Sequence, residues 1–396
     1  MYMTIGYDIS QLSISAYQNY VSYYSTEMGH DIAASAANMA GNQFFQNPGW
    51  NAGWSNVAFN GGTYSTTVYT GQGPQHNRIM LSNVATYGSD TTRHWINILL
   101  EPAYFSNFGY FVNNLPNNLF YATGDTVDGP VHSQTTMNTI GNPVFTGKVT
   151  SKNGLYQPYG GAPKFLGGFQ SGVNISIPTN MTQFQNAAVS GTPPGKVFGY
   201  SGGNDLYLTF KADGTVDWKR GSAGTVTNTP LTTLCPNGTI LAESTNVHIK
   251  GVLNGQVTVA CSSYTKSGKG LVYIDSSMTY NGGNPMTNPA VTDMLGIVAE
   301  NNITVTTTTT TNIYGSMLSL NGGLAAQHYN DAGICGALNV VGGLQENLSQ
   351  VTGTANGSGV LVSGFNERIK FDKRFSVTPP PFFPATGSYK VISWYE

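Results

Sequence analysis

Apolar and small residues recur at gaps of three and four from residue 5 to residue 44: Ile5, Ile9, Leu12, Ala16, Tyr20, Tyr24, Met28, Ile32, Ala36, Ala40 and Phe44. Such gaps predict one face of a helix. No proline interrupts before Pro48, where "NPGW" supplies a stop. A helix over about Ile5 to Phe45 would run roughly 60 Å at 1.5 Å per residue, longer than most single domains are wide. Its second half can dock on its own domain. The first half, "MYMTIGYDISQLSISAYQNY", would then need other copies of the chain or a membrane to cover its Ile, Leu, Met and Tyr side chains. The alternative is a break near Gly29 into two ordinary helices.

From Asn60 the period changes to two. "NGGTYSTTVYT", "NRIMLSNVATYG" and "RHWINILLEP" read as three antiparallel strands that the helix would cover on one face. Further on, "LYLTFKADGTVDWKRG" reads as a hairpin turning at Asp213-Gly214. "TILAESTNVHI" and "GIVAENNITV" then repeat one plan, with other short strands between and after them. Strands of regular length without helical period suggest coils stacked on one another. The run Thr306 to Thr311 follows the second copy; Thr favours strands, so it reads as an ordered strand and turn carrying hydroxyl ladders. The predicted fold is mainly β with one long N-terminal α-helix, a small antiparallel sheet packed on that helix and then a parallel β-helix-like domain. A β-sandwich is the alternative. The expected segments are 1–46 (assembly helix), 47–102 (sheet), 103–235 (turn-rich β region), 236–365 (β-helix-like domain) and 366–396 (C-terminal cap). In the cap, six charges between Glu367 and Arg374 would stitch the chain end, and "YKVISW" would be its final strand.

Composition narrows the function. Charged residues make up only 9% of the 396-residue chain and the formal net charge is −2, so there is no electrostatic footprint for nucleic acid. No Lys or Arg precedes Arg78, which leaves neither a signal-peptide n-region nor a polybasic membrane patch, and no apolar run is long enough to span a bilayer. The surface is expected to be polar, almost uncharged and secreted. Of the three cysteines, Cys235 and Cys261 either bridge, leaving Cys335 free, or all three are buried small hydrophobes.

Candidate chemistry is sparse. His30, His76, His94, His132, His248 and His328 never fall at metal-ligand spacing. Asp125, Asp128 and His132 lie close enough for a small site, although Asp-Gly and Gly-Pro there are turn signals. Asp213 and Asp217 flank the hairpin turn, and Glu243 and Glu300 hold equivalent places in the two repeats, as ladder or turn residues would. Trp50 and Trp54 of "NPGWNAGW", and the aromatics from Tyr104 to Tyr121, either stack on sugar rings or pack internally. No catalytic residue, metal or cofactor is expected.

The first hundred residues resemble type IV pilin-like proteins, minor pilins in particular, through the helix "HDIAASAANMAGNQFF", "GGTYSTTVYT" and the strands up to "INILLEP". The rest resembles an uncharacterised β-rich domain of bacterial surface proteins, through "TILAE", "DMLGIVAENNITV", "GGLQ", "FDKRF", "PPPFFP" and "SWYE". The resemblance implies export, membrane insertion before assembly and a place on the cell surface. Pilin-like proteins begin with a basic leader and an unbroken apolar stretch. This sequence opens at "MYMTIGYD", so a segment is expected to have been cut away or to be missing. The expected role is a structural, non-enzymatic subunit of an extracellular filament, a homopolymer built through Ile5, Ile9, Leu12, Tyr17, Tyr20, Tyr24 and Met28. The alternatives are a glycan-binding adhesin using Trp50 and Trp54, and a β-helix polysaccharide lyase or hydrolase.

Overall fold

A single helix, Tyr2–Gln46, runs through Gly29 without a break. Glycine is required there by a close approach: a Cβ would fall 2.4 Å from the His94 ring. The alternative of two shorter helices is therefore overturned. Gly costs only about 1 kcal/mol in a helix interior, and at this position it lets the backbone seat on the sheet. After Gln46, Asn47 accepts a hydrogen bond from the Gly49 N–H at 3.2 Å, and Pro48 ends the helical path.

The computed structural model describes residues 2–72, 78–88, 91–355 and 361–396. They form two compact units, 1–103 with 387–396, and 104–386. In the first, the helix lies on an antiparallel sheet of Trp54–Phe59, Gly62–Gln72, Arg78–Tyr87 and His94–Tyr104, in sequence order. The sheet's fifth strand is Ala385–Tyr395, beside His94–Tyr104. Alternation explains the core: Ile79, Leu81 and Ala85 from one strand and Ile96, Ile98 and Leu100 from the next face Ile32, Ala33, Ala36, Ala37, Ala40 and Phe44 of the helix. The run of alanines keeps the helix close to the sheet. Asn83 is buried within this core but satisfied, donating to the Ile96 carbonyl at 3.0 Å and accepting from the Thr66 hydroxyl at 2.7 Å.

The expected single helix face needs correction. Each gap of four advances a side chain by about 40° around the axis, and the sequence uses that gap repeatedly. Ile5 and Ile32 are about seven and a half turns apart, which puts them on opposite sides. The eleven positions wind around the helix, and only the last few of them meet the sheet.

The second unit is a succession of short strands paired in parallel. One ladder runs through Lys196–Phe198, Thr239–Glu243, Gln256–Ser262, Met294–Ala299, Thr311–Ser319 and Ile334–Leu348. A second runs through Leu206–Phe210, Val247–Leu253, Val272–Tyr280, Ile303–Val305 and Leu324–Ala326. Register stacks like on like: Ile249, Ile274, Val305 and Ala326 lie side by side, all buried. Leu206–Phe210 also closes an antiparallel hairpin with Thr215–Arg220 through Asp213-Gly214, where Asp213 caps the Thr215 N–H at 2.9 Å. The two repeats occupy the first ladder two strands apart, with Ala242, Cys261 and Ala299 in register.

The threonine run leaves Ile303–Val305, turns through Thr306 to Thr310 and enters the strand Thr311–Ser319 at Thr311. Its hydroxyls do not form one continuous ladder. Thr306 donates to Asp275 at 2.9 Å, Thr311 to the Thr309 carbonyl at 2.8 Å, and Thr310 accepts from the Ala337 N–H at 3.3 Å. The segment 366–396, expected as one cap, divides instead. Leu361–Phe371 pairs with Ile334–Leu348, and Arg374 grips Asp372 at 2.6 Å and the carbonyl of Asp293 at 3.1 Å. The last strand belongs to the first unit's sheet. There Glu101, nearly buried, is held by Arg78 at 2.8 Å and by Lys390 of that strand at 3.3 Å.

Candidate functional site

The N-terminal half of the helix leaves a row of large apolar side chains open. Ile5, Tyr7, Ile9, Leu12, Ile14, Tyr17, Tyr20, Val21, Tyr23 and Tyr24 are all exposed, Leu12 by 70% and Tyr17 by 69%. Met28 is half-buried at the point where the helix settles onto the sheet. At about 100° per residue, Thr4, Asp8, Gln11, Ser15, Gln18, Ser22 and Thr26 line one stripe. That stripe continues the side on which Ala33, Ala36, Ala40 and Phe44 meet the sheet below. The large hydrophobics occupy the rest of the circumference, and Ile9, Tyr17 and Tyr20 lie farthest round from the sheet side. Monomeric proteins rarely leave so much apolar surface uncovered. No helix among the described residues is long and apolar enough to cross a membrane.

Near its base the projecting half has one anchor. Tyr20 stacks on Tyr24 at 6.4 Å, and Tyr24 meets the edge of Tyr87 at 5.9 Å. Tyr17, Gln18, Val21, Ser25 and Tyr87 border a groove of about 470 Å³ there. Tyr24 and Met28 are thus partly engaged within the unit, whereas Ile5, Ile9, Leu12, Tyr17 and Tyr20 are open.

Trp50 and Trp54 do come together, with ring centroids 4.8 Å apart, and Trp54 packs edge-on against Tyr64 at 5.9 Å. Both are half-buried against the helix–sheet core. The Tyr104 to Tyr121 aromatics are mostly interior: Tyr104, Phe105, Tyr110 and Phe111 are buried, and Phe105 meets Phe111 edge-on at 5.1 Å.

His132 does not join Asp125 and Asp128, which border one groove. His132 is buried against Phe111, with its ring nitrogens 2.8 Å from the Thr150 hydroxyl and 3.1 Å from Gln134, and burial lowers its pKa. Asp125 caps the Ala122 N–H, and Asp128 accepts from the Thr146 hydroxyl. Asp217 pairs with Lys211 at 2.9 Å. Glu300 accepts from the N–H and hydroxyl of Ser263 at 2.7 and 2.6 Å, and Glu243 accepts from Gln185 at 2.6 Å. His30 lies 3.2 Å from Glu396, and His328 lies 3.1 Å from Asp331. His76 lies outside the described residues. Among the described residues no three His, Cys, Asp or Glu side chains are placed to hold a metal. All three cysteines are free and buried, and burial pushes the Cys235 thiol up to about 12, so it is not a nucleophile at neutral pH.

Two polar clusters have no local sequence signal. His248 is sandwiched between Tyr207 and Tyr273 at 4.2 and 4.6 Å, with its Nδ1 3.0 Å from Asp275 and Lys269 pairing Asp205 beside it. Stacking in register across three strands assembles it. The other is Glu346, buried, accepting from the Tyr110 hydroxyl at 2.6 Å and the Leu324 N–H at 3.1 Å. Desolvation outweighs these bonds and pushes its carboxyl up to about 8.

Residues 63–153 match the family model of a domain of unknown function, DUF4900. No curated protein matches the chain. Among solved structures, the competence-associated pilin ComZ from Thermus thermophilus is similar at 12% sequence identity and a TM-score of 0.45, over 94% of this chain and 96% of that one.

Proposed function

We propose that the chain is a structural subunit of an extracellular bacterial filament or pilus-like appendage, and that it polymerises through its N-terminal helix. The observation that carries this reading is the exposure of ten large hydrophobic side chains on the projecting half. Burying one such side chain is worth roughly 1.5–3 kcal/mol. Helices from several copies, packed together along the fibre axis, cover a surface that extends most of the way around the helix. A single partner would cover only one side.

In this proposal the second unit is a β-helix-like body, and its parallel ladders favour that arrangement over a β-sandwich of antiparallel hairpins. The role is mechanical and not enzymatic, and the chain meets a membrane only before assembly, at the cell surface. The adhesin reading through Trp50 and Trp54 is weaker, because both rings spend area on the core. The test is sedimentation of an Ile9→Asp plus Leu12→Asp variant. It should fold with an unchanged circular dichroism spectrum and stay monomeric where the native chain assembles. Normal polymers from that variant would sink the proposal.

A further inference from the structure

The parallel stack of the second unit finishes differently at its two ends. Tyr110–Asn114 pairs with Ile334–Leu348 on one side and with Val131–Ser133 on the other, and the ladder then runs through Val149–Ser151 to Phe169–Ser171. Two shorter ladders keep step with it. Met137–Asn138 pairs with Leu155–Tyr156, and Thr126–Val127 is followed by Val144–Phe145 and Lys164–Phe165. Residues 155–171 are therefore the last row. Among the described residues each of its strands has a pairing partner on the inner side and none on the outer side.

Burial records the missing neighbour. Leu155, Phe165 and Phe169 hold the same register positions as Met137, Phe145 and Val149 one row in. The inner three are fully buried, and the outer three are only half-buried. Phe145, Phe165 and Phe169 form a column of rings 5.1 Å apart that opens at this row. At the opposite end Phe198, Leu206, Leu208 and Phe210 are buried. There the antiparallel strand Thr215–Arg220 continues the sheet beyond Leu206–Phe210 and sets Trp218 5.2 Å from the Phe198 ring. One end is capped and the other is not. Stacked repeats need a cap, and a free strand edge is a template for another strand. An extended segment laid along it gains main-chain hydrogen bonds and covers alternate side chains.

The open row also selects by charge. No Asp or Glu occurs between Asp128 and Asp205, whereas Lys148, Lys152 and Lys164 fall at or beside the last row and are exposed. Asp125 and Asp128 belong two rows in, and Asp128 already accepts from the Thr146 hydroxyl at 2.7 Å. Two copies meeting by this end would set lysines against lysines, and the opposite end is closed by its hairpin, so a second copy fits poorly. A segment that alternates apolar and acidic residues fits well: its apolar side covers Phe165 and Phe169, and its carboxylates reach the lysines.

We propose that the last row, 155–171, is a docking edge for an acidic, strand-forming segment of another protein, which adds one more row to the stack. The proposal is independent of how the helix assembles. The test is isothermal titration and hydrogen exchange of the full chain with an octapeptide of alternating valine and glutamate, an acidic strand former. The same peptide with lysine for glutamate and the non-peptide polyanion polygalacturonate are run beside it. The acidic peptide should bind at millimolar concentration or below and slow amide exchange in 155–171. Lys152→Glu plus Lys164→Glu should weaken it by about tenfold and leave the melting temperature unchanged, because both positions are exposed. The lysine peptide should not bind. Absence of binding by the acidic peptide overturns the assignment, as does binding that leaves exchange in 155–171 unchanged. Equal binding and protection by polygalacturonate would make the end a general anion site and overturn it too. So would protection of 155–171 that rises with protein concentration without peptide, since a second copy would then occupy the edge.

Discussion

The two halves of the helix Tyr2–Gln46 are built from different residues for different partners. The docked half meets its sheet with Ala33, Ala36, Ala37 and Ala40, small side chains that bring the two backbones together, and closes the contact with Ile32 and Phe44. The projecting half carries Ile, Leu, Val and Tyr, and they stay exposed. Its polar residues lie above the alanine stripe, so the side facing the sheet below is the hydrophilic side above. The same helix thus switches the direction in which it is apolar. A helix that only needed to stabilise its own domain would gain nothing from the second apolar surface.

The largest expected effect breaks the comparison most simply. Phe44→Ala should cost about 3–5 kcal/mol of folding stability, as large-to-small changes of buried aromatics do. Leu12→Ala should stay within about 0.5 kcal/mol in a chain held monomeric but weaken assembly. Chemical denaturation of both variants checks this, and a similar loss in each would mean that the projecting half is part of the monomer's own core.

Changing pH should separate the fold from assembly next. The Glu346 carboxyl, raised to about 8 in the folded protein, binds its proton more tightly than in the unfolded chain. Its contribution is therefore full below the ordinary carboxylate range and is lost as pH rises through 8, by up to a few kcal/mol. Glu346→Gln, which keeps an acceptor and a donor in place, should flatten that slope. Assembly should hardly respond over the same range, because Asp8 is the only charged side chain before Glu27. A polymer that dissolves between pH 5 and pH 8 while the fold persists would contradict contacts made of apolar side chains.

The smallest effect compares two glycines. Gly29→Ala forces the His94 ring aside and should destabilise the monomer by roughly 1 kcal/mol. Gly6→Ala meets nothing within 4 Å and should strengthen the projecting helix by a similar amount. Melting curves and helical content report each one. Opposite signs support the division, and equal signs would blur it.

Much of this architecture was legible because its signals are local. The long helix follows from its three-four spacing, the meander from alternation between Gly62 and Tyr104, and the hairpin from Asp213-Gly214. The turn of the apolar surface was legible in principle, in the repeated gaps of four from Tyr20 onward, but a list of spacings hides accumulated rotation. The return of Ala385–Tyr395 to the first sheet was not legible. Strand pairing across nearly the whole chain leaves no periodic trace, and Lys390 shows nothing in sequence that assigns it to Glu101. The Tyr110–Glu346 bond and the His248 stack were hidden for the same reason, since register between distant strands creates them. For Asp125, Asp128 and His132 proximity in sequence misled: turns send the three side chains to different partners.

The central claim is that the projecting half exists to be covered by other copies. Negative-stain electron microscopy of the native chain beside a version lacking residues 1–24 tests it most directly. The account predicts fibres from the first and separate particles from the second, with the sheet and its docked half still folded. Separate particles from both, or fibres from both, would contradict it.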